Sequence, residues 1–194
     1  MESYMDIGNL ILFGVAALLI VYAIVLYNGL ISLKHNVTKN LANIDVLLKR
    51  RHDELPKLIE TCKQYMKHEQ ETLENVIKAR SSVENAQQRG DVKALGKAET
   101  AMRAGLGNLF ALAENYPGLK ADESFSHLQH RISGLESEIS DRREFYNESV
   151  NNNNIRLEQF PDVLVARLGK FKAFDLLEFS EQELADVDVK SLFS

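Results

Sequence analysis

One uninterrupted apolar stretch constrains this chain more than any other feature. Residues 7–26 contain no charged side chain, and thirteen of the twenty are Ile, Leu, Val or Phe. A helix rises about 1.5 Å per residue, so twenty residues cover the ~30 Å hydrocarbon core of a bilayer. Their side chains favour insertion by roughly 4–8 kcal/mol, which outweighs the cost of Asn9. The sequence therefore predicts a transmembrane helix over 7–26, after a short extracytoplasmic N-terminus over 1–6.

Two other classes of apolar segment fit less well. A soluble core helix rarely runs this long without a polar face. A secretory signal peptide starts with basic residues and ends at a pair of small ones. Here the first six residues are acidic overall, and the stretch is followed by Tyr27-Asn28-Gly29-Leu30. We therefore expect an uncleaved anchor.

The basic residues predict the orientation of this anchor. Residues 1–26 contain no Lys or Arg, whereas five basic residues follow within 25 positions of the span. Positive charge is retained on the cytoplasmic side of a membrane. We therefore expect a single-pass protein with its N-terminus outside and residues 27–194 in the cytoplasm.

Composition after the anchor is typical of long helices. The whole chain has three prolines, ten glycines and no tryptophan,. Its single cysteine, Cys62, excludes an internal disulfide and is expected to be a small core residue,. The body over 27–174 is nearly neutral and lacks the concentrated basic face of a nucleic-acid-binding protein. Residues 175–194 hold six acidic residues and one lysine, which predicts a solvating acidic tail,.

Apolar residues recur at three- and four-residue steps over 27–160, which predicts a cytoplasmic helical body. Helix ends are expected at Pro56, at Gly90-Asp91 and at Tyr116-Pro117,. Four long helices with short loops favour an all-α fold, with the transmembrane helix followed by an antiparallel, up-and-down four-helix bundle. The apolar phase also runs unbroken across Pro56, so one long kinked helix is the alternative.

Residue patterns typical of catalysis or metal binding are scarce. None of the five histidines follows a glutamate three positions earlier, as a di-iron bundle site requires,. His127-x-x-His130 supplies only two zinc ligands, and Gly105-x-Gly107 follows no strand. We therefore expect neither an enzyme nor a bound metal or cofactor.

Two basic clusters are the candidate contact sites for a partner or for lipid. The first precedes Pro56, where its cations also suit a helix C-terminus. The second is an amphipathic basic-aromatic segment over 161–174, with Phe160 before it, which suits a membrane interface, a partner or the surface of the body itself. The candidate residues are Lys49, Arg50, Arg51, Phe160, Arg167, Lys170, Phe171 and Lys172.

Small and polar residues in the span are candidates for contact between two copies. Gly8 and Gly14 allow helices to approach closely, and Asn9 can form a hydrogen bond across them. They predict self-association within the bilayer.

With these residues in view, the chain resembles the LemA family of bacterial membrane proteins. The resemblance covers roughly residues 25–174 and implies an inner-membrane protein with one span and a cytoplasmic helical bundle. It implies no catalytic residues. It rests on Tyr27-Asn28-x-Leu30, Asn43-Ile44-Asp45-Val46-x-Leu48-Lys49-Arg50-Arg51-x-Asp53-x-x-Pro56-x-Leu58, Lys67-His68-Glu69-x-Glu71-Thr72-Leu73 and Glu114-x-Tyr116-Pro117-x-Leu119-Lys120-Ala121.

These observations favour a non-enzymatic membrane protein whose helical body binds a protein partner or another copy of itself. The alternative is a scaffold that organises or remodels the membrane and also touches lipid through residues 160–174. A metal-dependent enzyme is the weakest hypothesis.

Overall fold

The computed structural model describes the backbone of residues 2–178 and the side chains of residues 7–178. This part of the chain is helical and contains no strand. The helices are α1 (Glu2–Tyr65), α2 (Gln70–Arg89), α3 (Val92–Ala113), α4 (Pro117–Lys120), α5 (Glu123–Glu158) and α6 (Asp162–Leu168).

The chain divides into two compact units. Unit 1 comprises Met1–Asn40 and Glu148–Phe174, and unit 2 comprises Leu41–Asn147 and Asp175–Ser194. The predicted span therefore belongs to unit 1, together with the basic-aromatic segment. The first basic cluster and most of the predicted helical body belong to unit 2.

Helix α1 continues through Pro56 to Tyr65, so the expected helix end at Pro56 is wrong. Proline lacks the N–H that would bind the carbonyl of His52, four residues earlier. In the structure Arg80 of α2 donates from Nε to that carbonyl over 3.2 Å, and its Nη2 also contacts Nε2 of the His52 ring. A contact from another helix thus replaces the missing backbone hydrogen bond, and the helix continues.

Because the Arg80 side chain replaces the backbone donor that Pro56 lacks, we expect the effects of mutating the two residues on stability to be coupled. Arg80→Ala should lower the free energy of unfolding by about 1–2 kcal/mol, because the His52 carbonyl loses its partner. In a Pro56→Ala background the restored N–H should reduce that loss by at least half. Denaturant unfolding of the full chain in detergent, followed by circular dichroism, measures both. Arg89→Ala on the same helix is the control, and equal losses in the two backgrounds would contradict the coupling.

The turn between α1 and α2 is built from residues 66–69. The Met66 N–H donates to the Cys62 carbonyl over 2.8 Å, and the Tyr116 hydroxyl donates to Glu69 over 3.0 Å. Cys62 is fully buried, and burial raises the pKa of its thiol to about 12. Its predicted place in the core is confirmed, and its thiol is protonated and inaccessible in the folded protein.

The predicted boundary at Gly90-Asp91 is confirmed. Gly90 adopts a left-handed conformation with φ of 63°, and its N–H donates to the Gln87 carbonyl over 3.0 Å. The Asp91 side chain then accepts from the N–H of Ala94 at the start of α3. Glycine ends one helix and aspartate caps the next, as the local sequence predicts.

Within unit 2, side chains of α1 contact α2 and α5, and α2 packs along α3. The side-chain hydrogen bonds and ion pairs join Asp45 to Gln87, Glu54 to Arg131 and Tyr65 to Asp122, at 2.9, 2.7 and 2.9 Å. The Val76 side chain lies 3.5 Å from the point that a Cβ on Gly105 would occupy, so this glycine allows close approach of α2 and α3.

Within unit 1, the apolar stretch of α1 is almost entirely exposed, whereas the helix is partly buried after it. Among the described residues, α1 is the one helix long and apolar enough to cross a membrane. Leu26 and Leu30 are buried, as are Val150 and Asn153 of α5. Exposure of this many large apolar side chains is typical of a surface that lipid covers.

Candidate functional site

The most unusual feature of unit 2 is a cluster of buried charges on three helices. Arg51 of α1 and Glu99 of α3 are both about 1% exposed. The Arg51 guanidinium donates from Nη1 to Glu99 over 3.0 Å and from Nη2 to the other Glu99 oxygen. Nη1 also donates to Glu136 of α5, whose second oxygen lies 3.4 Å from Nε of Arg103. Arg51, Glu99, Glu136 and Arg103 are called the charge cluster below.

Arg51 and Glu99 stabilise each other's charged forms. Burial alone would lower the pKa of Arg51, but the carboxylates of Glu99 and Glu136 outweigh it and raise that pKa. Burial raises the pKa of Glu99, and the Arg51 guanidinium opposes this rise. Bidentate pairing of a guanidinium with a carboxylate is both strong and directional, so the charge cluster fixes the relative positions of α1, α3 and α5 within unit 2.

The charge cluster corrects one predicted contact site. Arg51 is buried and fully engaged within unit 2, so the prediction that it contacts a partner or lipid is wrong. Lys49 and Arg50 next to it are exposed, and for them the prediction stays a prediction. The physical reason is helical spacing, because Arg51 lies on the buried stripe of α1 between Leu48 and Leu55.

Glu99 and Glu136 were not among the residues that the sequence singled out. A signal for Glu99 existed, because it lies between Leu95 and Met102 at the three- and four-residue steps of the α3 stripe,. A charged residue in such a stripe needs a buried partner of opposite charge. Arg51 also lies in an apolar stripe, that of α1. Glu136 lies beside the α5 stripe, which gives no comparable signal.

A surface cleft of about 430 Å³ lies beside the charge cluster. Its polar lining consists of Arg103, Glu136 and the hydroxyls of Ser133, Ser137 and Ser140. None of the lining residues is a histidine or a cysteine, and the carboxylate in the lining, that of Glu136, is paired with Arg51 and Arg103. Elsewhere, His127 and His130 are exposed on α5, and the described residues contain no group of three or more metal-ligating side chains.

Residues 175–178 are docked in unit 2, on α3 and α5. The Asn147 amide forms two hydrogen bonds with Leu177, donating to its carbonyl over 3.1 Å and accepting from its N–H over 2.9 Å. The Tyr146 hydroxyl donates to the Asp175 carbonyl, and Lys93 pairs with the Asp175 carboxylate at 3.0 Å. The acidic tail was predicted to begin at residue 175, but these four residues are bound rather than solvating. Residues 179–194 of that predicted tail lie outside the described residues.

In unit 1, the basic-aromatic segment consists of α6 and an extended stretch after it. Phe160, Arg167, Lys170 and Lys172 are exposed, whereas Phe171 is half-buried. The Phe171 ring meets the Tyr27 ring edge to face, with 5.6 Å between centroids. Asn154 further holds Phe174 by two backbone hydrogen bonds. The segment is therefore fixed beside the first residue after the predicted span.

The candidate residues for contact between spans are exposed on α1. A Cβ placed on Gly8 or Gly14 would meet no atom within 4 Å. The two glycines are six residues apart, which turns a helix by about 240°, so they lie on different faces. Asn9 is exposed on the same helix. One contact between two spans can therefore use only one of the two glycines. Gly14 is the one nearer the middle of the span.

Comparison with known proteins finds similarity to magnetosome proteins of two organisms. Magnetosome proteins MamQ 2 and MamQ 1 of Paramagnetospirillum magneticum are each 29% identical to the chain over 100 residues, which are 52% of this chain and 36% of theirs. Magnetosome protein MamQ of Magnetospirillum gryphiswaldense is 20% identical over 186 residues, covering 84% of this chain and 68% of the relative. The chain spans about a third of the length of the first two relatives.

These relatives and the apolar helix support a membrane location. The family model of the LemA family matches residues 40–191, well over half of the chain. The match includes all four residues of the charge cluster, and the resemblance inferred from the sequence is confirmed. The chain belongs to the LemA family.

Proposed function

We propose that this LemA-type membrane protein is a non-enzymatic, single-pass protein of the bacterial inner membrane whose helical body is an interaction or self-assembly module. The observation that carries the proposal is the charge cluster. Its two most buried charged side chains, Arg51 and Glu99, are shielded from water and paired with each other. A buried, hydrogen-bonded ion pair of this kind holds the helices in one arrangement.

For the body, we propose an antiparallel four-helix bundle made of α2, α3 and the parts of α1 and α5 in unit 2. The contacts support opposite directions for α1 and α2, because Asp45 pairs with Gln87 and His52, seven residues later, contacts Arg80, seven residues earlier. The same relation holds between α1 and α5, because Glu54 pairs with Arg131 and Tyr65, eleven residues later, binds Asp122, nine residues earlier.

For the orientation, we propose that the N-terminus lies outside and the body in the cytoplasm. The absence of Lys and Arg before the span and their frequency after it support this direction,. In intact cells, a membrane-impermeant thiol reagent should therefore fail to label Val46→Cys, an exposed position of unit 2, and should label it after lysis. Cys62 is fully buried and serves as an internal control for folding. Labelling of Val46→Cys in intact cells would overturn the orientation.

For the partner, we propose either another copy of the chain or a second membrane protein. Large apolar side chains that stay exposed in unit 2, Phe145 at 51% and Ile77 at 38%, support a contact surface there,. Two differently tagged copies should co-purify after crosslinking in the native membrane, and mass spectrometry of the products should identify any other protein. If crosslinking in the native membrane yields monomer alone, the interaction role is overturned.

A scaffold that also organises lipid is the second candidate function. It is favoured by one observation, that the basic-aromatic segment lies in the same unit as the predicted span and contacts Tyr27 directly. The names of the relatives as magnetosome proteins fit such a role by analogy alone,.

A further inference from the structure

We propose that residues 160–172 form an interfacial foot, which rests on the headgroup layer of the bilayer that holds α1 and binds anionic lipid there. The proposal rests on the proposed function in one respect, since it requires residues 7–26 to span that bilayer. It adds a defined lipid-contact site with an apolar face, a cationic edge and a fixed position.

The position of the foot follows from its contact with Tyr27. This tyrosine comes directly after the apolar stretch, and tyrosine side chains collect where a bilayer meets water. Phe171 packs against the Tyr27 ring at 5.6 Å between centroids. The foot is therefore within the Debye length, about 10 Å, of the membrane surface.

The foot is held in place by local structure. Phe171 donates its N–H to the Ala166 carbonyl over 3.0 Å, which turns the chain back after α6. Its ring then covers Gly169 so closely that a Cβ there would lie 2.6 Å from the ring. The residue at 169 must be glycine for the Phe171 ring to occupy this place beside Tyr27.

Helix α6 has a buried face and an exposed apolar face. Asp162 and Ala166 are buried, and the Asp162 carboxylate lies 2.7 Å from Nε of Arg156. Leu164 and Leu168 lie on the opposite side of the helix and are 54% and 86% exposed,. Phe160, before the helix, is 80% exposed. Three large side chains so exposed beside a membrane exit are suited to insertion among acyl chains and headgroups.

The exposed charges of the foot are all positive. Arg167, Lys170 and Lys172 are exposed, and the one acid among residues 160–172, Asp162, is buried against Arg156. Each cation near an anionic surface strengthens binding by roughly fivefold. The charge selects anionic headgroups, and the apolar face sets the depth of the contact.

Depth-dependent quenching in vesicles tests the foot on the full chain. Single cysteines replace Leu168 in the foot, Val46 in unit 2 and Leu18 in the span, and each carries an environment-sensitive fluorophore. Cys62 stays unlabelled because it is fully buried. The vesicles contain phosphatidylglycerol in brominated phosphatidylcholine. We expect quenching at positions 168 and 18 and none at position 46.

The outcomes separate the foot from the anchor. Quenching at 18 without quenching at 168 would overturn the foot and leave the span in place. Absence of quenching at 18 would overturn the span as well. Equal quenching at 46 and 168 would also overturn the foot, because unit 2 would then touch lipid as closely.

A charge variant tests the choice of lipid. Arg167→Gln, Lys170→Gln and Lys172→Gln together should reduce the quenching at 168 at least twofold in vesicles with phosphatidylglycerol. In purely zwitterionic vesicles the variant should behave like the wild type. Lys49→Gln with Arg50→Gln is the matched control, since these exposed cations lie in unit 2. A variant that keeps full quenching in anionic vesicles would overturn the selection of anionic lipid.

Discussion

Replacing Arg51 with alanine is expected to lower the free energy of unfolding by about 3–5 kcal/mol. The reason is that Glu99, which is about 1% exposed, would remain buried without its counter-charge. Glu136 would lose the same partner but is more exposed and keeps Arg103. Denaturant unfolding of the full chain in detergent, followed by circular dichroism, measures the loss.

A second variant distinguishes the destabilisation caused by an unpaired buried charge from the net contribution of the ion pair to the free energy of unfolding. Arg51→Met with Glu99→Leu replaces both members by apolar side chains of similar length. Such replacements of buried ion pairs are often neutral or stabilising, so the double variant should unfold within about 1 kcal/mol of the wild type. It should thus be far more stable than Arg51→Ala alone.

The neighbouring Arg50 supplies the matched control. It is exposed on the same helix, so Arg50→Ala should change the free energy of unfolding by no more than about 0.5 kcal/mol,. If Arg50→Ala were as damaging as Arg51→Ala, the effect would come from helix propensity or net charge. The role of the charge cluster would then be contradicted.

Replacing Gly96 with alanine is expected to release residues 175–178 from α3. The added Cβ would lie 2.1 Å from the backbone oxygen of Glu178, a separation that forces one of them to move. Strain of this kind costs typically 1–3 kcal/mol. The Leu177 amide, which donates to Asn147 over 2.9 Å, should then exchange its hydrogen much faster with solvent,.

Gly107 on the same helix is the control for this second experiment. A Cβ there meets no atom within 4 Å, so Gly107→Ala should stabilise α3 by about 0.5–1 kcal/mol through backbone entropy,. Hydrogen exchange at Leu177 should be unchanged in this variant. If the Leu177 amide of Gly96→Ala stayed protected from hydrogen exchange, the docking of residues 175–178 would not depend on the absence of a side chain at position 96.

Local sequence rules predicted the helix boundaries that depend on local chemistry alone. Glycine and aspartate at Gly90-Asp91 end one helix and cap the next because both effects act within one turn. The same rules were wrong at Pro56. There the missing backbone donor is replaced by Arg80, which is 24 residues further along the chain and reaches the site only after the chain folds.

The charge cluster was predictable in part. Arg51 and Glu99 both interrupt apolar stripes, and two charges of opposite sign in buried positions indicate a buried pair. Interpreting Arg51 as one member of an exposed basic run obscured this signal. Which helices pair depends on the packing of the whole unit, and Glu136 carries no mark in the sequence that would have identified it.

The docking site of residues 175–178 could not be predicted from side-chain patterns, because Asn147 and Tyr146 bind backbone groups. Among these four residues, Leu177 is the buried side chain, at 1% exposure.

Asn147 therefore binds backbone groups that nearly every amino acid carries. The docking site thus places few requirements on the side chains of residues 175–178. The side-chain requirements fall on position 177, where a leucine-sized side chain is buried, and on position 175, where the carboxylate pairs with Lys93. A chain that keeps these two side chains can hold the same docking geometry while residues 176 and 178 vary.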